Sequence, residues 1–249
     1  MVSTQVEGIV LKSFNYGEHH KILNVLTYHY GLIGIFAQNA NRTNNKKSAL
    51  VQPMTCAHFN LKEPTGTGGG LYFLYQGDVV ENYLNIKLDY EAMMHVYVML
   101  EIILKGLKRE EVVHYRMIYP WLRDGLSLIE SGVSPLLVAV VFQFKMLKCL
   151  GIEPYLDGCV VCQSTQHIVM LSCEAGGLVC QRCYHPKETI LIDAPLVPLV
   201  RALVRVEMSA LSEIEVEEDL LAPISDFLMQ YYERYAGFYL STKKMLTQL

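Results

Sequence analysis

Cys159-Val-Val-Cys162 and Cys180-Gln-Arg-Cys183 are separated by 17 residues, and no other feature of the chain restricts its fold so tightly. Two residues between cysteines let a tight turn present both thiolates to one ion, and two such turns complete a tetrahedral sulfur site. The spacing C-x2-C-x17-C-x2-C falls within the range of zinc sites. Gly176, Gly177 and the short apolar run Ile168 to Leu171 suit a ribbon hairpin between the two turns. The expectation is one structural zinc per chain on Cys159, Cys162, Cys180 and Cys183. The competing reading is four buried or redox-active thiols, but a spaced pair of C-x-x-C turns rarely serves redox chemistry. Cys173 lies between the pairs without a partner at ligand spacing and is set aside, with Cys56 and Cys149, as a buried thiol. His167 and His185 are near enough in sequence to replace a thiolate, although four cysteines suffice without them.

Seven cysteines are an odd number, and the opening MVSTQVEGIVLKS has neither a basic-then-apolar leader nor a small-residue cleavage site. Both observations predict a cytoplasmic protein without a disulfide framework. Mean hydropathy is high at +0.22, yet even the oiliest stretch, Leu136 to Leu150, is interrupted by Gln143, Lys145 and Lys148. No apolar run approaches the roughly 18 to 20 residues of a membrane-spanning helix. The 21 basic residues are outnumbered by 25 acidic ones, so bulk positive charge does not make this chain a nucleic-acid coat. Residues 1–85 hold 6 Lys and Arg against 5 Asp and Glu, whereas residues 86–249 hold 15 against 20. Any polyanion site is therefore expected in the N-terminal third.

The chain divides by hydrophobic period. Val6 to Lys12, Ile22 to Thr27, Leu32 to Phe36, Met54 to Leu61 and Leu71 to Tyr75 read as five strands separated by turn residues, which favours a small barrel or sandwich. Beyond Asp89 the period becomes helical. Met93 to Leu104 is apolar nearly all round, Ser134 and Pro135 mark a helix start with Gly151 as its left-handed stop, and Leu220 to Tyr235 carries one apolar face. The expected domains are 1–82 and a mostly helical 83–249, with the cysteine module inserted at about 156–187.

Arg42, Lys46 and Lys47 lie in the polar segment QNANRTNNKKS, where they either contact phosphates or simply solvate a loop. Lys12 and Lys21 are further candidates. Phe36, Tyr72, Phe73 and Tyr75 lie in neighbouring strands, and because strand residues alternate faces about half of them are available to stack on bases. A zinc-dependent enzyme acting on nucleic acid is the alternative. It needs an open metal position or a nucleophile with its base. No H-x-E, G-x-S-x-G or phosphate-binding G-x-x-x-x-G-K motif occurs.

Gly8-Ile-Val-Leu-Lys12, Tyr16-Gly-Glu18, Lys21-Ile22, Thr27 to Ile33, Ser48, Gln52-Pro53, the four-cysteine module and the closing Tyr231 to Leu246 together resemble the RecO family of recombination mediators. The resemblance implies an α+β multidomain protein: an N-terminal OB-fold β-barrel and a C-terminal α-helical domain with an inserted zinc ribbon. It implies a non-enzymatic, nucleoid-associated DNA repair protein that binds single- and double-stranded DNA and anneals complementary strands. The implied partners are RecR and the C-terminal tail of single-stranded-DNA-binding protein, and through them the RecA recombinase. An acidic, hydrophobic tail needs cations beside an apolar pocket. The chain offers Arg116, Arg123, Lys145 and Lys148, the last two on one side of a helix with Val141 and Phe144 as pocket walls, unless they only solubilise that helix. The likeness departs at Asn39 to Arg42, where the family carries Gly-Ala and clustered Arg and Lys. With fewer cations there, this protein is expected to rely more on its partners than a basic relative does.

Overall fold

The computed structural model of the protein describes residues 3–42, 47–64, 70–107, 112–185 and 191–242. The alternating N-terminal segment forms five strands: β1 (Ser3–Tyr16), β2 (His20–Thr27), β3 (Gly31–Ala37), β4 (Cys56–Lys62) and β5 (Tyr72–Glu81). They close into a barrel in the order β1-β2-β3-β5-β4, with β3 parallel to β5 and β1 antiparallel to β4. This is the arrangement of an OB-fold. Every second residue turns inward, so Val10, Leu23, Val25, Ile35, Phe59 and Leu61 fill the interior. A bulge between Val10 and Lys12 buries Leu11 and leaves Lys12, Phe14 and Tyr16 exposed two residues apart. Asn39, standing where the resemblance expects glycine, has a φ of 57°, a conformation that asparagine tolerates better than most residues.

The helices are α1 (Leu84–Leu88), α2 (Tyr90–Gly106), α3 (Val112–Glu130), α4 (Pro135–Cys149), α5 (Val197–Arg205) and α6 (Glu218–Tyr231). The chain forms two compact units, Met1–Leu88 with Leu107–Glu130 and Asp89–Gly106 with Ser131–Leu249. Helix α3 thus groups with the barrel. The Glu130 carboxylate at its end accepts the otherwise unpaired backbone N–H groups of Asn85 and Ile86 at the start of α1.

In the second unit, α4 starts as its sequence predicts. Ser134 Oγ accepts the Leu137 N–H at 3.4 Å, Pro135 occupies the first helical position, and Gly151 follows with a φ of 68°. Its residues from Leu136 to Leu147 are all buried, and it packs against α2 and α6. Helix α6 tolerates Pro223 and runs on as a wider turn, Tyr232–Ala236, that Gly237 ends. Tyr232 donates its hydroxyl to the Gln143 carbonyl at 2.7 Å, which ties that turn to α4. The cysteine module contributes β6 (Ile168–Ser172) and β7 (Gly177–Cys180), which join a short β8 (Leu191–Asp193) in an antiparallel sheet of order β7-β6-β8. Among the described residues, no helix is long and apolar enough to cross a membrane.

Candidate metal centre and nucleic-acid interface

The two C-x-x-C turns meet. The Sγ atoms of Cys159, Cys162, Cys180 and Cys183 all lie within 4.8 Å of one another, with Cys162 and Cys180 at 3.6 Å. A tetrahedron of sulfurs about 2.3 Å from a zinc ion has edges of about 3.8 Å, so the cluster has the size the ion requires. Each turn is closed by its own backbone: Gln163 N–H donates to the Cys159 carbonyl at 2.8 Å, and Cys183 N–H to that of Cys180 at 3.0 Å. Burial pushes the Cys159 thiol up, but backbone N–H groups of Cys162, Cys180 and Val161 outweigh it and bring it down to about 6. Hydrogen bonding to its neighbours, Cys162 first, instead pushes Cys183 up to about 12. A dication held among the four sulfurs would ionise all of them.

The ribbon is held by contacts that only glycine permits. Tyr155 crosses it, donating its N–H to Gly176 and accepting that of Leu178, and a Cβ on Gly177 would meet the Tyr155 carbonyl oxygen at 2.6 Å. Cys173 is buried outside the cluster, and its carbonyl accepts the Tyr235 hydroxyl at 2.9 Å. His167 and His185 are exposed and do not join the four sulfurs. Cys56 is buried, whereas Cys149 is only partly so.

A second arrangement lies on the outside of the barrel. Cross-strand pairing aligns Phe14 with Ile22, Ile22 with Phe36, Phe36 with Phe73, and Phe73 with Lys62. Paired residues share a face, so the result is one outward row crossing four strand boundaries. The Phe36 ring is in contact with Tyr16 at 5.9 Å, His20 at 5.3 Å and Phe73 at 5.7 Å between centroids. Phe73 is 46% exposed and Tyr75 64%. Lys12 lies 4.8 Å from the Phe14 ring centroid and Lys62 lies 5.4 Å from that of Tyr75, so cations flank the rings at both ends. Of the four aromatic residues singled out from sequence, Phe36, Phe73 and Tyr75 belong to this surface, and Tyr72 packs on the core. Phe14, Tyr16 and Lys62 were missed. The alternation Lys12, Phe14, Tyr16 at the end of β1 was the available signal.

The expected cations are distributed unevenly. Lys12 and Arg42 are exposed and Lys21 is half-buried, while Lys46 lies outside the described residues. Lys47 donates its ammonium to the Leu74 carbonyl at 3.0 Å, and burial lowers its pKa. Arg116 and Arg123 lie on α3 in the barrel unit, and Arg123 pairs with Glu7 at 3.0 Å. Lys145 departs from the expected shared solvent-facing side with Lys148: it is buried, with its ammonium 3.3 Å from Glu207, whereas Lys148 is exposed. The cause is that α4 is covered almost all round, so a long stem in it must bury its methylenes and carry its charge to a partner. Val141 and Phe144 are buried for the same reason.

The profile described as Recombination protein O N terminal matches residues 1–83, and that described as Recombination protein O C terminal matches residues 87–244. Proteins named DNA repair protein RecO resemble the chain over almost its full length. That of Bacillus subtilis (strain 168) is 29% identical over 247 residues, covering 99% of this chain and 94% of its own. That of Bacillus pumilus is 30% identical over 98% of this chain and 93% of its own, and that of Listeria innocua is 28% identical with the same coverage. A closed five-strand barrel, a helical unit and a four-cysteine cluster thus coincide with both halves of one family's pattern, and the chain belongs to the Recombination protein O (RecO) family.

Proposed function

We propose that the protein is a non-enzymatic mediator of DNA repair and homologous recombination that binds single- and double-stranded DNA, anneals complementary strands and acts with RecR and single-stranded-DNA-binding protein to load RecA. The observation that carries this reading is the outward row of Phe14, Phe36, Phe73 and their neighbours on a barrel with exposed Lys12 and Lys62 at its ends. Base-to-ring stacking tolerates any sequence, which suits a protein that must hold strands of arbitrary composition. Lys12, Lys21 and Arg42 would neutralise phosphates around the row, with Lys62 added to them, and Lys46 and Lys47 remain candidates from the sequence. Rings that hold one face of a base leave its pairing edge free, so a bound strand remains open to its complement. The relatives carry the name DNA repair protein, which supports the same reading.

In this reading the barrel unit, residues 1–82 together with α3, serves DNA, and the remainder of residues 83–249 serves protein partners in the cytoplasm, at the nucleoid. The four cysteines fit one zinc ion, which would lock the ribbon at about 156–187. With four thiolates filling the tetrahedron, that zinc is structural, and the alternative of a zinc-dependent enzyme gains no support from the cluster. For the acidic tail of single-stranded-DNA-binding protein, Lys148 is the helical unit's exposed cation among the four candidates. Lys145 and Arg123 are paired with Glu207 and Glu7, and Arg116 is on the barrel side.

The test is annealing of two complementary labelled oligonucleotides by the purified protein without nucleotide triphosphate. Acceleration over the spontaneous rate is expected. An unchanged rate, with or without RecR, would defeat the proposal.

A further inference from the structure

The barrel unit holds a recess apart from the aromatic row. A cavity of about 560 Å³ lies between the start of β1, the β2–β3 turn and α3, lined by Gln5, Glu7, Tyr28, Tyr30, Tyr119 and Arg123 among others. Strand β2 separates it from the Tyr16–His20 hairpin, a distance of roughly 25 Å at about 3.3 Å per residue.

The turn that forms one wall is tied by hydrogen bonds. Gly31 takes a φ of 66°, and Thr27 Oγ1 both accepts the Tyr30 N–H at 3.1 Å and donates to the Gly31 carbonyl at 3.0 Å. Tyr28 and Tyr30 are consequently held 43% and 46% exposed. The Tyr28 ring stands edge-on to Tyr119, with centroids 6.3 Å apart. At the base, Glu7 Oε1 accepts from the Tyr119 hydroxyl at 2.7 Å and from Arg123 Nη1 at 3.0 Å, while Glu7 Oε2 is 3.5 Å from His58 Nε2. These bonds orient the Arg123 side chain, which remains 47% exposed. A guanidinium has five N–H donors, and the bond to Glu7 uses one. Asp124, also in the lining, supplies a carboxylate acceptor beside it.

We propose that this cavity receives an unstacked nucleobase of a bound DNA strand, guanine fitting best, with the Tyr28 and Tyr30 rings against its faces, Arg123 on its O6 and N7 and Asp124 on its Watson–Crick N–H groups. The inference rests on the DNA-binding reading above and adds a base preference to it. Guanine presents acceptors at O6 and N7 that match an arginine fork, and N–H donors that match a carboxylate. The cavity's size suits one base with its sugar. The Glu7 carboxylate is offset by Arg123, and Asp124 leaves the lining with one net negative charge that repels a phosphate, so a strand's base enters while the backbone stays outside. The same repulsion disfavours an acidic peptide.

Fluorescence anisotropy compares an all-thymine oligonucleotide with the same strand carrying one central guanine. The parent protein is expected to bind the guanine strand about tenfold tighter, within the range of one good bidentate base contact. A Tyr28→Ala, Tyr30→Ala double variant and an Arg123→Lys variant, each checked for native circular dichroism, should both lose that margin and keep the all-thymine affinity. Phe73→Ala should weaken both strands alike. Equal affinity of the parent for the two strands, or a margin that survives in both cavity variants, overturns the cavity proposal and leaves DNA binding standing. Failure to bind either strand overturns both.

Discussion

Glu101→Gln is expected to destabilise the helical unit, and the size of the effect follows from the contacts of one carboxylate. Glu101 sits on α2 with a side chain only 12% exposed. It accepts from Lys105 Nζ at 2.7 Å, from the backbone N–H groups of Ser241 at 2.9 Å and Thr242 at 3.0 Å, and from both of their hydroxyls. Burial pushes the carboxyl up, but these hydrogen bonds, Lys105 first, outweigh it and hold its pKa at about 2 against an ordinary 4.5. At 1.36 kcal/mol per unit that depression corresponds to roughly 3 kcal/mol. Lys105 is 39% exposed, so solvent screening reduces the figure to about 1 to 2 kcal/mol. Because the folded-state pKa is depressed, the contribution is fully present above about 4.5 and is lost as pH falls through about 2. Urea titrations of parent and variant, followed by far-ultraviolet ellipticity, should differ by about 1 to 2 kcal/mol at neutral pH, with the gap narrowing steadily below pH 4.5. A gap that is absent at neutral pH, or that stays constant into acid, would refute the assignment of this carboxylate as the anchor of Ser241 and Thr242.

Replacing Cys162 by Ser should reduce bound zinc from one ion per chain to a small fraction, as read by metal analysis, while the barrel keeps its stability; retention of a full equivalent would contradict the four-sulfur site. Gly177→Ala places a methyl 2.6 Å from the Tyr155 carbonyl oxygen and should loosen the ribbon, measured as faster zinc loss to a chelator. Gly31→Ala combines a φ of 66° with a Cβ 2.8 Å from the Tyr115 ring, and should cost about 1 to 3 kcal/mol in a denaturant titration. Lys148→Ala should weaken binding of a labelled acidic tail peptide without lowering thermal stability, and unchanged peptide affinity would remove Lys148 from the docking site.

Local chemistry was legible in the sequence and nonlocal pairing was not. The five strands declare themselves by alternation and turn residues, Ser134 and Pro135 announce α4, and the paired C-x-x-C turns identify their own partners because the ligand count closes at four. The aromatic row depends on a parallel β3–β5 contact that brings Phe36 beside Phe73 from 37 positions away, and no local pattern specifies that register. The β1 bulge, which sets Lys12, Phe14 and Tyr16 on the outside, is equally silent. Helix α3 carries Pro120 in its interior, and its grouping with the barrel comes from tertiary contacts such as that between Tyr119 and Glu7. Lys145 read as a surface residue because lysine usually is one, and only the cover around α4 and the position of Glu207 make it otherwise.

The central claim is that the outer barrel face carrying the aromatic row is where single-stranded DNA lies. Photocrosslinking tests it most directly: a single-stranded oligonucleotide containing 5-iodouracil at successive positions is bound to the intact protein, irradiated, and the adducts are located by mass spectrometry. Adducts at Tyr16, Phe36, Phe73 and Tyr75 are predicted, lost when excess unlabelled single strand competes. Adducts confined to residues of the helical unit, with none on the barrel, would contradict the account.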